Sequence, residues 1–80
     1  MRSIPVSQAG SGALRVIGLL LPPDQASRLS DLGLRPGAVV RVLRRGADGG
    51  TVVACGDTRL ALDGGTAARV RVVAEDGAAP

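Results

Sequence analysis

The chain has no Phe, Tyr or Trp, no His, and a single cysteine, Cys55. Without aromatic rings the core must be built from Leu, Val, Ile and Ala, and no platform exists on which nucleic-acid bases could stack. Without His, and with one Cys, neither a disulfide framework within one chain nor a Cys/His zinc site can be assembled, because a tetrahedral site needs three or four such ligands. Nucleophilic catalysis meets the same obstacle, since Ser27, Ser30, Thr51, Thr58 and Thr66 have no imidazole to activate them. No apolar run approaches the ~20 residues of a membrane span, and the start is too short in apolar residues for a secretory signal.

What is present is aliphatic, glycine-rich and basic. Eighty residues leave room for one domain, and the formal net charge is +3, all ten basic residues being arginine. A chain of this size buries only about 60% of its unfolded surface, which leaves little room for an elaborate active site. A modest positive excess suits solubility or an acidic partner surface. Gly49-Gly50 and Gly64-Gly65 lack the Lys-Ser/Thr of a phosphate loop and read as flexible loops. Asp24, Asp31, Asp48, Asp57 and Asp63 are scattered over cap and turn positions rather than clustered. No cofactor and no metal site are expected, and the chain is not expected to be an enzyme.

One stretch dictates a shape almost by itself. Asp24 is a suitable N-cap after Pro22-Pro23, so a helix should begin near Gln25, with Ala26, Leu29 and Leu32 on its inward side. Gly33 fits the left-handed residue that ends a helix, its amide reaching the Ser30 carbonyl and that of Leu34 the Leu29 carbonyl. Pro36-Gly37 has the residues of a type II turn, which redirects the chain into the next strand.

Strands are expected at residues 13–21, with Gly18 marking a bulge, at 38–45, at 51–55 and 58–62 as a hairpin around Gly56-Asp57, and at 69–73. Pairing Cys55 with Thr58 sets Val53 opposite Leu60 and Thr51 opposite Leu62, one consistently apolar face. Residues 63–68 read as a turn or single helical turn. The expected core is Leu29, Leu34, Val40, Val42, Val53, Leu60, Leu62, Val70 and Val72, with Cys55 as a small buried hydrophobe. Residues 1–12 are expected to form a loosely held leader and residues 74–80 a flexible tail, flanking a domain at 13–73. Five strands and one short helix between the first two give a mainly β fold, a small barrel closed on itself.

Arg28-Leu29, the run Leu32-Gly33-Leu34-Arg35-Pro36-Gly37, Val40 and Val42, Ala61-Leu62, and Ala67 with Val70 and Val72 together resemble the FeoA family over residues 12–73. The glycine-centred corner is the most specific part of the match. The resemblance implies an SH3-like barrel in a small cytoplasmic protein that supports bacterial ferrous iron uptake by binding the cytosolic part of the membrane GTPase transporter FeoB, without itself entering the membrane. Similar domains also occur attached to metal-dependent transcription repressors. The alternative is therefore a basic small barrel that binds nucleic acid, or a metal-dependent regulatory module. Nucleic acid is not the expected partner, because aromatics are missing and no DNA-binding helical domain precedes the barrel.

The second expected strand carries apolar side chains on both faces, although a small barrel has one interior. Arg35, Pro36, Val39, Leu43 and Arg44 are therefore the candidate partner-binding residues, with Leu32, Gly33, Leu34, Pro36 and Gly37 as the structural corner. The alternative is that the leader or the helix covers Val39 and Leu43, and the remaining strand arginines are expected to face solvent.

Overall fold

In a computed structural model, which describes residues 2–75, the corner is built as its residues require. Gly33 has φ +105° and donates its amide to the Ser30 carbonyl at 3.0 Å, while the Leu34 amide reaches the Leu29 carbonyl at 2.9 Å. These two bonds close the end of the helix. Gly37 has φ +94°, and the Ala38 amide returns to the Arg35 carbonyl at 3.0 Å, completing the turn. The Gly37 amide also donates to the Val16 carbonyl at 2.8 Å, which ties the corner to the strand before the helix.

Helix α1 (Pro23–Asp31) begins earlier than expected, with Pro22 as N-cap and no side-chain cap. A proline at the first helical position forfeits an amide that would be unpaired anyway, so Asp24 moves into the first turn, where its charge suits the helix N-terminus. The helix lies on the surface: Leu29 packs against the core at its rim, but Leu32 is exposed.

The strands are β1 (Ile4–Pro5), β2 (Ala13–Leu19), β3 (Val39–Arg45), β4 (Thr51–Cys55), β5 (Thr58–Leu62) and β6 (Val70–Ala74). They form one antiparallel sheet in the order β1-β6-β2-β3-β4-β5. The count is six rather than five because the leader contributes β1. The β4–β5 hairpin has the expected register, with Cys55 opposite Thr58, Val53 opposite Leu60 and Thr51 opposite Leu62. Its turn places positive φ on Gly56 and none on Asp57, as a type II′ turn does. The ladder ends at β1 and β5; a short helix α2 (Gly64–Ala67) touches both β5 and a 3-10 turn at Val6–Gln8, so packing rather than strand pairing brings the two ends together.

The leader is thus part of the fold. Val6 has no exposed surface and Ala9 only 1%. Ile4 pairs with Val72 on β6. Two arginines expected in solvent hold it: Arg45 donates to the carbonyls of Val6 and Ala9, and Arg71 donates to the Ser3 carbonyl at 2.7 Å and to its hydroxyl. The leader docks by burying Val6 and Ala9 in the core, while its part-buried backbone acceptors receive charged donors. At the other end Ala74 closes β6 and the Glu75 amide reaches the Ala13 carbonyl at 3.0 Å; the rest of the expected tail, residues 76–80, lies outside the described residues.

Of the expected core, Leu34, Val40, Val53, Leu62, Val70 and Val72 are buried, and Leu29, Val42 and Leu60 pack around them. Leu14, Val16, Ala67 and Cys55 complete the cluster with Val6 and Ala9. Burial pushes the Cys55 thiol above its ordinary pKa, which favours the protonated form.

Candidate protein-interaction surface

Strand β3 decides which side chains the sheet presents to solvent. Val40 and Val42 point inward against Cys55 and Val53 of β4, and Val39 and Arg41 point outward. The register then slips: Val42 pairs with Val53, but Arg44 pairs with the next residue of β4, Val52. Leu43 is the extra residue of a β-bulge, and because of it Leu43 and Arg44 both lie on the outer side while Arg45 turns in toward the leader. Strict alternation would have sent Arg44 inward. A second bulge, at Ile17 beside Gly18 on β2, falls where the glycine suggested.

Leu43 is 48% exposed and Val39 44%, and Leu43 also lines an open depression with Ala9, Gly10 and Ser11 of the leader. The candidate residues nevertheless do not form one cluster. Arg35 and Pro36 belong to the corner, where the Arg35 guanidinium donates to the Ser30 carbonyl at 3.2 Å and reinforces the end of α1. Leu43 lies four residues beyond Val39, about 13 Å along an extended strand. Arg15, opposite Val39, is engaged with the Gly37 carbonyl and the Glu75 carboxylate, each at 2.8 Å.

At the far end of β3 a different set comes together. Leu43 and Arg44 line an open depression of about 290 Å³ with Val52 of β4 and Arg59 of β5. Val52 and Arg59 were missed because the hairpin register places them outward but says nothing about where β3 lies, and the bulge that aligns Arg44 with Val52 leaves no mark in the sequence. Among the described residues the one ion pair is Arg15 with Glu75, so Arg41, Arg44 and Arg59 are paired with no described carboxylate.

Other chemistry is sparse. Among the described residues no three of His, Cys, Asp and Glu converge as metal ligands, and no helix is long and apolar enough to cross a membrane. An open hollow of about 350 Å³ lies between α1 and α2, with Pro22, Gln25, Asp63 and Arg69 on its walls. Asp63 is occupied there as the N-cap of α2, accepting from the Thr66 amide at 2.7 Å. That backbone bond, with the Thr66 side chain assisting, holds its carboxyl below the usual carboxylate pKa. The unfolded chain therefore binds the proton more readily, so the stabilisation by Asp63 is present above the ordinary value of 3.8 and is lost as pH falls through the lower native value. We expect Asp63→Ala to lower the melting temperature at neutral pH and to converge with the wild type in acid; a constant gap across a pH series of thermal melts would contradict the cap.

A coiled antiparallel sheet around one aliphatic core, with a short helix and a glycine-proline-glycine corner leading into β3, defines a small SH3-like β domain. The FeoA domain family matches residues 5–74. The chain belongs to that family. Among solved structures, it is 32% identical to an iron uptake regulatory protein (FeoA) seen by crystallography, with a TM-score of 0.74 over 90% of this chain and 96% of that one. It is 28% identical to the FeoA protein of Chlorobium tepidum, solved by NMR in solution, with a TM-score of 0.81 over 95% of this chain and 74% of that one. Comparison with curated proteins gives no match.

Proposed function

We propose that this protein is a cytoplasmic, non-catalytic accessory of ferrous iron transport that acts by binding the cytosolic part of a FeoB-type membrane GTPase transporter. Family membership supports the link to iron uptake. The observation that carries the binding role is the outer face at the end of β3, where exposed Leu43 stands beside arginines that form no ion pair among the described residues. Apolar side chains rimmed by charge are what a modest protein contact uses. Nucleotide hydrolysis is not part of the role, since the chain offers no phosphate loop and no activated nucleophile.

The test is a pull-down of the transporter's cytosolic region by the full chain, with and without guanine nucleotide, run beside Leu43→Asp/Arg44→Glu. We expect retention by the wild type, at least tenfold weaker retention by the variant because a charge is reversed and an apolar contact removed, and unchanged melting of the variant. Absence of retention under every nucleotide condition would overturn the proposal.

A further inference from the structure

The register of three strands aligns the outer side chains in cross-strand rows, and the depression lined by Leu43, Arg44, Val52 and Arg59 is a trough among them. One cross-strand row reads Arg41, Ala54, Arg59, and the next reads Arg44, Val52, Ala61. Strand β4 thus contributes only small aliphatic side chains, Ala54 and Val52, to a floor flanked by Arg41 and Arg44 on β3 and by Arg59 on β5. The bulge adds Leu43 to the rim. The nearest acids in sequence, Asp48 and Asp57, sit in the turns at the two ends of the hairpins, and Asp48 accepts from the Gly50 amide at 2.9 Å.

The geometry points to this trough as the docking site for an extended, carboxylate-rich segment of a partner protein, lying along β4 with one aliphatic side chain against Leu43 and Val52. This rests on reading the chain as a binding module and specifies the chemistry that the module recognises. Carboxylates at alternate positions of an extended segment stand about 6.6 Å apart, the same spacing as the rows of Ala54 and Val52. Each would meet a guanidinium, whose planar fork suits a carboxylate. A phosphate backbone would use the arginines but leave the aliphatic floor without a counterpart, and the chain has no aromatic ring to receive a base.

The probe is a short fluorescent peptide of glutamates interrupted by one leucine, with its glutamine counterpart, titrated into the full chain by anisotropy and amide chemical-shift mapping. The expected result is shifts at Val52, Ala54 and Arg59 but not at Gly37, weakening as salt is raised, and no response to the glutamine peptide. Arg41→Glu/Arg59→Glu should bind about tenfold or more weakly with an unchanged melt, and Arg41→Ala/Arg59→Ala should fall between. Shifts confined to the corner, equal binding of the glutamine peptide, or equally tight, arginine-dependent binding of a single-stranded oligonucleotide or anionic vesicles would overturn the inference. The same variants separate it from the transporter proposal. Retention of the transporter region by wild type and Arg41→Glu/Arg59→Glu alike defeats the trough alone, whereas trough shifts by the peptide without any retention of that region defeat the transporter proposal alone.

Discussion

Leu34→Ala should destabilise the domain by about 2–5 kcal/mol, while Leu32→Ala, two residues away, should change stability by less than about 0.5 kcal/mol. The two leucines flank Gly33 and look equivalent in the sequence, yet Leu34 is fully buried and Leu32 is 46% exposed. Gly33 reverses the chain between them, so the leucine before the reversal stays on the helix surface and the one after it is driven into the core. Truncating Leu34 removes transfer free energy and leaves a cavity that aliphatic neighbours on several strands cannot fill without moving. Against a total stability of order 5–15 kcal/mol, such a loss is a large part of the whole. Urea denaturation of both variants decides the matter, and similar midpoints for the two would mean that the corner is placed in the wrong register.

Gly64→Ala should cost about 1–3 kcal/mol, whereas Gly65→Ala should be tolerated. Adjacent glycines at the start of a short helix suggest flexibility, and alanine is the better helix former at either. The tertiary structure separates them. A Cβ on Gly64 would stand 2.5 Å from the Asp48 carbonyl oxygen, a backbone atom that cannot swing aside, while one on Gly65 would meet only the Asp63 side chain at 3.7 Å. Gly49 approaches from the same loop, with φ +89°, so residues 46–50 and α2 pack backbone to backbone. Thermal melts of the two alanine variants are the check. Equal melting temperatures would show that the loop yields, and that the glycine pair marks flexibility rather than close approach.

The candidate surface was legible in part. Val39 and Leu43 stood out because a strand with apolar residues on both faces cannot bury them all, and both are exposed. Arg35 and Pro36 were expected to belong to the same surface because they sit on a rigid bend, but the corner lies at the opposite end of β3 from Leu43. Val52 and Arg59, which share a depression with Leu43, come from β4, whose pairing with β3 is shifted by the bulge, and from β5 beyond it. A bulge adds one residue without requiring any residue type, which is why the hydrophobic alternation could not reveal it.

The local chemistry of the chain determined the helix stop at Gly33, the turn at Pro36-Gly37, the hairpin register around Gly56 and the inward set Val40, Val53, Leu62, Val70 and Val72. Each depends on a backbone conformation or a period of two that neighbouring residues impose on one another. Tertiary structure alone decided three things: that the polar leader joins the sheet as β1, that Arg45 and Arg71 serve as its fasteners, and that Arg44 and Arg59 line one depression with Leu43 and Val52. The first two rest on contacts between segments far apart in sequence, such as the Arg71 guanidinium on the Ser3 carbonyl, and the third on the bulge in β3; arginine side chains are long enough to be solvated or bonded with equal ease, so their partners are chosen by the packing around them and not by their place in the pattern.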